Sequence, residues 1–328
     1  MKIALLGATG AVGRTMLAVL AERGVEVDEL RPLASERSRG QPVAFGGREW
    51  TVDVPAPGAF EGCDVALFSA GAARSREWAP VAAREGAVVI DNSSAWRMDA
   101  SVPLVVPEVN GAEAERRPLG IIANPNCSTI QLVVALEAIR RAAGLKRVVV
   151  TTFQSVSGAG QSGIDALHAE RAGRTPTATP FPAPIDGNAV PRIGALGADG
   201  FTEEETKVRN ESRKILGMPQ LSVAATCVRV PVEVGHSISA TVEAERPLDV
   251  AGAHAALRAM PGVRLLEGES LPLARDAAGR DEVLVGRVRQ DPDSDRVLHL
   301  WIVADNLRKG AATNAIQIAE QVLQGAQR

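Results

Sequence analysis

One segment of the sequence places a thiol where a nucleophile can be activated. Cys127 lies in Asn124-Pro125-Asn126-Cys127-Ser128-Thr129, after the short apolar run Ile121–Ala123 and before helical apolar spacing over 129–141. We therefore predict a strand that ends just before the cysteine and a helix that begins at or near it. The N–H groups and dipole of a helix N-terminus lower a thiol pKa and can hold an oxyanion. The pattern favours a nucleophilic Cys127; the alternative is a small residue that caps the helix.

The other two cysteines occupy different settings. Cys63 precedes a predicted strand and Cys227 lies inside one, and free cysteine is commonly buried, so we interpret both as packing residues. The three cysteines are far apart and show no CxxC spacing. We therefore expect neither a disulfide framework nor a metal site.

A thiolate nucleophile needs an acid/base partner, and the chain has four histidines. His168 and His254 lie in helical patterns and His299 alternates within an apolar strand, which is typical of surface or structural positions. His236 lies at a turn between two predicted strands, where we expect its imidazole to be presented rather than buried. The spacing favours His236 as the general acid/base group.

A glycine-rich turn follows the first predicted strand, Lys2–Leu6, and precedes a helical pattern at 15–23. Glycines at this position allow a tight turn and let backbone N–H groups approach a pyrophosphate at a helix N-terminus. The pattern predicts a dinucleotide site. The residues expected to contact the dinucleotide are Gly7, Thr9, Gly10, Ala11, Val12 and Gly13.

The end of the second predicted strand, at 30–34, indicates which dinucleotide binds. NAD-preferring sites usually place an acid there to hold the ribose 2′-hydroxyl. Here Ser35, Arg37 and Ser38 follow the strand, and two hydroxyls with a guanidinium suit a 2′-phosphate. We therefore predict NADP as the cofactor. Glu36 is the residue that could instead act as the acid, and Arg39 is interpreted as part of a solvated loop.

The order of predicted elements indicates two domains. In the first half, apolar runs near 2–6, 30–34, 65–69, 87–91 and 121–123 alternate with helical patterns, which is typical of a Rossmann-type α/β domain. Runs at 148–152, 222–230, 237–243, 283–290 and 298–305 predict an α+β domain with a mixed sheet. We predict an NADP-binding domain at 1–126, completed by a C-terminal helix at 309–328, and a catalytic and dimerisation domain at 127–308. A Pro-, Gly- and Ala-rich segment at 175–200 is interpreted as an ordered excursion, with disorder as the alternative.

Composition and charge exclude several classes of partner. Hydrophobic residues make up 45% of the 328 residues, charged residues 23%, and the net charge is −3. A nucleic-acid or membrane-surface protein would need a basic patch, which this balance does not suggest. No apolar run approaches the roughly 20 residues that span a bilayer. The first residues enter a strand without a secretory signal, so we expect a cytoplasmic protein.

Several motifs in order resemble the aspartate-β-semialdehyde dehydrogenase family along essentially the whole chain. They are the glycine loop at 7–13 and the segments at 92–99, 124–129, 153–160, 180–185, 207–211 and 228–237. The resemblance implies reduction of L-aspartyl-4-phosphate by NADPH to L-aspartate-4-semialdehyde and phosphate, on the route to lysine, methionine and threonine.

The resemblance also implies roles at the reacting carbon. Cys127 would attack the acyl phosphate and carry a thioester, and His236 would be the general acid/base group. Gln154 would orient the acyl group, and its alternative is an amide that caps a loop. Arg229 would clamp the substrate α-carboxylate with a bidentate fork, and its alternative is a structural ion pair.

The resemblance places further groups around the substrate. Arg97 and Lys207 would bind the departing phosphate. Glu204 would hold a substrate amine or a cationic side chain, although Glu203 and Glu205 flank it and an exposed charged helix face is the alternative.

Other implied roles concern the cofactor and the assembly. Asn126 is expected at the substrate, Ser157 and Gly158 near the nicotinamide, and Asn306 where it closes the cofactor site. The family works as homodimers or larger assemblies, so we expect a homodimer or homotetramer whose interface lies in the second domain.

Two rival functions remain. N-acetyl-γ-glutamyl-phosphate reductase would share the cofactor loop, thioester and histidine, but Asn126 and Gln154 favour the aspartyl enzyme by resemblance. A non-catalytic NADP- or redox-sensing protein would use Cys127 as a sensor thiol. A carboxylate clamp at Arg229 and a phosphate pair, Arg97 and Lys207, would have no use in a sensor.

Overall fold

The computed structural model describes residues 1–326, so the last two residues of the predicted C-terminal helix lie outside the described residues. The strands are β1 (Lys2–Leu6), β2 (Glu29–Leu33), β3 (Pro42–Phe45), β4 (Arg48–Thr51), β5 (Val65–Phe68), β6 (Val88–Asp91), β7 (Ile121–Ala123), β8 (Arg147–Gln154), β9 (Ser222–Arg229), β10 (His236–Glu243), β11 (Val263–Leu265), β12 (Val283–Asp291) and β13 (Ser294–Ala304). The helices are α1 (Ala11–Glu22), α2 (Ala72–Arg84), α3 (Pro107–Asn110), α4 (Cys127–Ala143), α5 (Gln161–Arg171), α6 (Glu203–Ile215), α7 (Val250–Ala259), α8 (Ala274–Ala277) and α9 (Thr313–Ala326).

The chain forms two compact units. One contains Met1–Pro125 and the segment that begins at Ala311, and the other contains Asn126–Gly310. The first unit is called the N-terminal unit below and the second the C-terminal unit.

The N-terminal unit is built on a five-stranded parallel sheet in the order β2-β1-β5-β6-β7. Ile3 of β1 pairs with Leu30 of β2 on one side and with Val65 of β5 on the other. All three side chains are buried with those of α1 and α9 in one apolar cluster. Strands that are buried on both faces consist of consecutive apolar residues, so such a run in the sequence marks the strand. The bounds of β1 and β7 therefore match the prediction. The predicted Rossmann-type fold is confirmed.

The C-terminal unit contains a six-stranded mixed sheet in the order β11-β12-β13-β10-β8-β9. The outer pairs β8–β9 and β11–β12 are parallel, while the pairs between them are antiparallel. Along β8, Val148, Val150, Thr152 and Gln154 are buried, and the residues between them are exposed or half-buried. This alternation puts one face of the sheet against the largely buried helix α4, as the mixed-sheet prediction requires.

The Pro-rich segment between α5 and α6 forms no named helix or strand. Its backbone is held at isolated points: Val190 pairs with Arg229 of the edge strand β9, and Leu196 pairs with Thr202. Within the described residues, no helix is both long and apolar enough to cross a bilayer.

Candidate active site

The candidate nucleophile stands at the first turn of the buried helix α4. β7 ends at Ala123 and α4 begins at Cys127, so the predicted strand, turn and helix are present. Asn126 caps the helix: its Oδ1 accepts hydrogen bonds from the backbone N–H groups of Ser128, at 2.9 Å, and Thr129, at 3.3 Å. Cys127 itself is half-buried. A helix dipole stabilises negative charge at this position, which suits a thiolate.

Two buried carboxylates of α6 hold the cap residue. Glu204 accepts from the Asn126 side-chain amide at 2.8 Å, and Glu211 accepts from the Asn126 backbone N–H at 2.7 Å. These glutamates are seven positions apart, so they lie on the same face of α6 about two turns apart. Glu204 is 7% exposed and Glu211 is 1% exposed. The orientation of the helix that carries Cys127 therefore depends on α6.

The three adjacent glutamates at the start of α6 have different surroundings. Glu203 is exposed, while Glu205 forms a capping box with Thr202 and accepts from the Cys227 backbone N–H at 3.0 Å. Glu204 is thus the one that contacts the cap of α4. Sequence reasoning named Glu204 but gave Glu211 no role. The available signal was the seven-residue spacing of the two acids.

Gln154 and Lys207 contact the same carboxylate. The Gln154 amide donates to Glu204 Oε1 at 3.2 Å and is 1% exposed. Lys207 Nζ lies 2.8 Å from Glu203 and 3.7 Å from Glu204. Glu204 is therefore surrounded by Asn126, Gln154 and Lys207. This cluster contains hydrogen-bond donors and a carboxylate.

His236 is the first residue of β10, and its side chain is fully buried at 0% exposure. The expectation that the turn would expose the imidazole was wrong. The ring packs against Ser155, which follows the neighbouring strand β8. Nδ1 lies 3.1 Å from the Ser155 N and 3.0 Å from its Oγ. Burial, assisted by the charge of Arg229, lowers the pKa of His236 well below its usual value. The ring is therefore neutral near pH 7.

Arg229 closes β9 beside this histidine. It is 6% exposed, donates through Nη1 to the Ser155 carbonyl at 2.7 Å, and lies over the Phe181 ring at 5.9 Å from the centroid. Burial lowers the pKa of Arg229, and the nearby charge of Glu204 opposes that shift. The guanidinium remains a buried cation because arginine starts from a very high pKa.

Gly158 lets these two side chains approach the backbone. A Cβ at this position would come within 2.7 Å of Arg229 Nη1 and 3.2 Å of His236 Nε2. Any larger residue would push the imidazole or the guanidinium away. Because Gly158 has no side chain, the His236 imidazole and the Arg229 guanidinium can both lie close to it.

A polar network lies behind the histidine. Asn306 Oδ1 accepts from Ser155 Oγ at 2.9 Å and from the Gly235 backbone N–H at 2.9 Å, and its Nδ2 donates to Ser157 Oγ at 2.9 Å. Ser155, Ser157 and Asn306 are all buried. These contacts fix the loop that follows β8 against the end of β13.

Gly310 lies directly against the candidate nucleophile, in a π-helical turn at 308–312. A Cβ at Gly310 would lie 2.9 Å from the Cβ of Cys127, closer than real Cβ atoms approach. We expect Gly310→Ala to displace the thiol and to lower kcat by about a hundredfold, because positional errors near 1 Å have effects of that size.

The Gly310 prediction is checked by steady-state kinetics beside Gly252→Ala. Gly252 lies in α7, and its added Cβ would meet two side-chain ends, Leu248 Cδ1 at 2.9 Å and the capping Asp249 Oδ1 at 3.1 Å. Equal kcat values for the two variants would show that the contact at Cys127 does not matter.

The remaining two cysteines are buried as predicted. Cys63 is 4% exposed and Cys227 is 0% exposed. Burial raises the pKa of both thiols, that of Cys227 to about 12. Both thiols are therefore protonated near neutral pH and poorly nucleophilic.

In the N-terminal unit, the glycine-rich turn joins β1 to α1. Gly7 has a φ of +96°, and a Cβ there would lie 2.3 Å from the Ser69 carbonyl oxygen. A Cβ at Gly13 would lie 2.2 Å from the Gly7 oxygen. The turn therefore requires glycine at both positions. The first turn of α1, with Ala11 and Val12, follows immediately and leaves its N–H groups at this loop.

The loop after β2 reaches the same turn. Thr9 Oγ1 lies 3.2 Å from Ser38 Oγ, in a short 3₁₀ turn over Glu36–Ser38. Ser35 and Arg37 are exposed. Glu36 is also exposed and its carboxylate is 3.6 Å from Arg39.

A cavity of about 650 Å³ opens in the N-terminal unit beside Thr9. It lies between α1 and the β3–β4 hairpin, and it is lined by Ala8, Thr9, Arg14, Leu17, Ala18, Ala21 and residues 41–47. Its volume is within the range of small-molecule pockets.

Arg97 is also in the N-terminal unit and is 8% exposed. Its Nε donates to the Asn124 carbonyl at 3.0 Å and its Nη2 to the Asn92 carbonyl at 2.8 Å. The guanidinium is thereby fixed to the backbone just after β6 and β7.

Comparisons with known proteins agree with this architecture. A family model described as semialdehyde dehydrogenase, NAD binding domain, matches residues 2–117, and one described as semialdehyde dehydrogenase, dimerisation domain, matches residues 136–309. An aspartate-semialdehyde dehydrogenase of Aquifex aeolicus is 51% identical over 97% of both chains. One of Bacillus subtilis is 47% identical over 98% of this chain and 96% of the relative.

Solved structures give the same result. Aspartate semialdehyde dehydrogenase II of Vibrio cholerae, complexed with ASA, superposes with a TM-score of 0.96 at 47% identity, covering 98% of each chain. The Candida albicans enzyme with NADP has a TM-score of 0.77 at 26% identity, again covering 98% of each chain. The chain belongs to the aspartate-semialdehyde dehydrogenase family.

Proposed function

We propose that the chain is an NADP-dependent, phosphorylating aspartate-semialdehyde dehydrogenase that reduces L-aspartyl-4-phosphate to L-aspartate-4-semialdehyde and phosphate through a thioester on Cys127. The single observation that carries the proposal is the half-buried Cys127 at the capped N-terminus of α4. Membership of the family supports the substrate.

The first chemical step belongs to Cys127. Its sulfur attacks the acyl carbon, the carbonyl electrons move to the oxygen, and their return expels phosphate and leaves the thioester. The dipole of α4 favours negative charge at the N-terminus of the helix, which suits the developing oxyanion. Asn126 keeps this helix end in place through its two capping bonds, and its amide is the proposed substrate contact.

His236 is the proposed acid/base group, and Gln154 is proposed to orient the acyl group. Both are buried, so neither loses its orientation to competing water. The Gln154 side-chain nitrogen donates to Glu204 and Thr152, and these two hydrogen bonds fix the orientation of the side-chain carbonyl group.

Arg229 is the proposed clamp for the α-carboxylate. A bidentate guanidinium–carboxylate pair is strong and directional, and one nitrogen of this fork is already fixed to the Ser155 carbonyl. Glu204 is proposed to hold the substrate ammonium group. Burial lowers the pKa of Arg229 and the charge of Glu204 opposes that shift, so an anionic and a cationic group lie close enough to bind a zwitterionic ligand.

Arg97 and Lys207 are the proposed phosphate-binding residues. Lys207 is paired with Glu203 and Glu204, so a phosphate would exchange one anionic partner for another. Arg97 is held by two backbone carbonyls, which gives it a defined direction.

The glycine turn of the N-terminal unit fits a dinucleotide-binding loop. A Cβ at Gly7 would clash with the Ser69 backbone and a Cβ at Gly13 with the Gly7 backbone, so the tight turn and the close packing of α1 both need glycine. Ser35, Arg37 and Ser38 suit a 2′-phosphate, and the exposed Glu36 is engaged by Arg39 rather than placed at the strand end. We therefore infer a preference for NADP over NAD. When bound, the reduced cofactor supplies the hydride that converts the thioester to the aldehyde. Ser157, Gly158 and Asn306 remain predictions for cofactor contacts.

The domain assignment follows from these roles. We propose that the N-terminal unit is the NADP-binding domain and the C-terminal unit the catalytic and dimerisation domain, the latter supported by the matched dimerisation-domain family. A homodimer or homotetramer in the cytoplasm is our inference for the assembly and its compartment.

A substrate assay tests the proposed function. Purified protein is given phosphate with either aspartate semialdehyde or N-acetylglutamate semialdehyde, and reduction of NADP or NAD is followed by absorbance. We expect turnover with aspartate semialdehyde and a higher kcat/KM for NADP. Activity with only the N-acetylated substrate would instead indicate the rival reductase, and cofactor binding without turnover on either would indicate a sensor.

A further inference from the structure

The contacts of His236 Nδ1 define which ring nitrogen carries the proton. We propose that Ser155 and Asn306 are positioning residues that hold the neutral ring of His236 with its proton on Nε2, and that Ser155 Oγ accepts Nδ1–H when the ring becomes protonated. This inference rests on the proposed function, since it refines the part that His236 plays there.

The backbone N–H of Ser155 settles the neutral state. It lies 3.1 Å from Nδ1. A backbone amide nitrogen can donate but cannot accept, so Nδ1 must be the acceptor and be unprotonated. A neutral imidazole has one proton, which therefore resides on Nε2.

Asn306 settles the direction of the Ser155 hydroxyl. The Gly235 backbone N–H donates to one side-chain atom of Asn306 at 2.9 Å, so that atom is the amide oxygen. Ser155 Oγ lies 2.9 Å from the same oxygen and 3.1 Å from Ser157 Oγ; the amide oxygen can only accept and is the nearer of the two, so it takes the single proton of Ser155. A lone pair of Ser155 Oγ therefore remains for Nδ1, at 3.0 Å.

Ser155 can thus serve both protonation states of the ring. The neutral ring accepts from the Ser155 N–H, and the imidazolium can donate Nδ1–H to the Ser155 Oγ. A small tilt of the ring exchanges the two partners. Ser157 completes the arrangement, because its Oγ accepts from Asn306 Nδ2 and keeps the amide from rotating.

The other ring nitrogen lies beside Gly158 and Arg229. Nε2 is buried and has no hydrogen-bond partner among the described residues. A Cβ at Gly158 would meet both this nitrogen and Arg229 Nη1, so the two groups border the same small space. A fixed Nε2–H is suited to donate to the oxyanion that forms at the acyl carbon, and the collapse of that oxyanion to the aldehyde returns Cys127 as a thiolate.

Among the described residues, one charged side chain shifts the pKa of His236. Arg229 at the end of β9 is the charged side chain that lowers the pKa of His236. The neighbours from α4, β8 and β13 are neutral: Gln131 donates to the His236 carbonyl, and Ser155 and Asn306 form the network. A carboxylate placed at Asn306 would therefore change the electrostatics of the ring strongly.

Two substitutions are expected to act in opposite directions. Asn306→Asp keeps the acceptor for Ser155 but adds a negative charge, so the acid limb of the kcat–pH profile should move up by roughly one unit or more. Ser155→Ala keeps the backbone N–H but removes the Oγ acceptor. It should move that limb to lower pH and reduce kcat by about tenfold to a hundredfold with little change in KM. Asn188→Asp, which adds the same charge at an exposed position, is the matched control and should leave the profile unchanged.

Nitrogen-15 NMR of histidine-labelled protein provides a readout that needs no substrate. His236→Asn identifies the signals of this ring among those of the four histidines. In the unmodified protein at pH 7 we expect Nε2 to be protonated and Nδ1 unprotonated, and Ser155→Ala should keep this tautomer. A protonated Nδ1 in the neutral ring would overturn the proposal.

The kinetic outcomes separate this inference from the proposed function. If the unmodified protein turns over aspartate semialdehyde while Asn306→Asp and Asn188→Asp give the same pH profile, the positioning role is wrong and the function stands. If the protein shows no turnover, the function is wrong, and the tautomer measured by NMR still decides the inference. Should Asn306→Asp fail to fold, Ser155→Ala and the NMR spectrum of the unmodified protein decide it alone.

Discussion

Cys127→Ala is expected to abolish turnover, with a loss in kcat of at least about 10⁴-fold. The substitution removes the atom that forms the thioester and leaves the cap of α4 in place, since Asn126 bonds to backbone N–H groups beyond the cysteine. No other thiol can replace it, because burial raises the pKa of Cys63 and Cys227. The measurement is kcat with aspartate semialdehyde, phosphate and NADP.

Cofactor binding and a second cysteine variant are the controls for this result. NADP affinity, measured by calorimetry, should be unchanged, because the proposed cofactor loop belongs to the N-terminal unit. Cys63→Ala removes a thiol of that unit and should retain kcat within about twofold, at a stability cost of roughly 1–2 kcal/mol for the lost packing. Substantial activity of Cys127→Ala would exclude a thioester on this residue.

Arg229→Lys is expected to raise KM for aspartate semialdehyde by about a hundredfold or more, because loss of a charge-assisted fork in a buried site costs several kcal/mol. A lysine ammonium is a point charge, so it cannot bond to the Ser155 carbonyl and also present two parallel donors to a carboxylate. Burial also disfavours an ammonium more than a guanidinium. KM should therefore change much more than kcat.

The matched control is Arg213→Lys on α6. Arg213 also donates to a backbone carbonyl, that of Leu221 at 2.8 Å, but it has no proposed role at the site. Its KM should stay near that of the unmodified protein. If Arg229→Lys gave an equally normal KM, Arg229 would be a structural residue rather than the clamp.

Local chemistry explains which parts of the fold were predictable from sequence. β1 and β7 are short apolar runs bounded by glycine or asparagine, and their bounds match the prediction. The start of α4 follows from an asparagine cap before an apolar helix. The β3–β4 hairpin was missed, because its strands mix polar and apolar residues and it is stabilised by packing that a local pattern does not reveal.

The site was less predictable wherever it depends on residues distant in sequence. Ser155, which contacts the His236 ring, lies 81 positions away, and Asn306, which bonds to Ser155, lies 70 positions away. The pairing of β8, β10 and β13 brings them together. Glu204 could not be separated from its neighbours, because its role depends on where α6 contacts the cap of α4. The function of Glu211 depends on the same contact.

A thioester on Cys127 is the central claim, and intact-protein mass spectrometry followed by peptide mapping tests it most directly. The protein is incubated with aspartate semialdehyde and NADP without phosphate, so that the acyl group has no phosphate acceptor, and is then quenched in acid. We predict one added aspartyl group on the peptide that contains Cys127, which disappears when phosphate is supplied. An unmodified Cys127 in protein that still reduces NADP, or an adduct on a different residue, would contradict the mechanism.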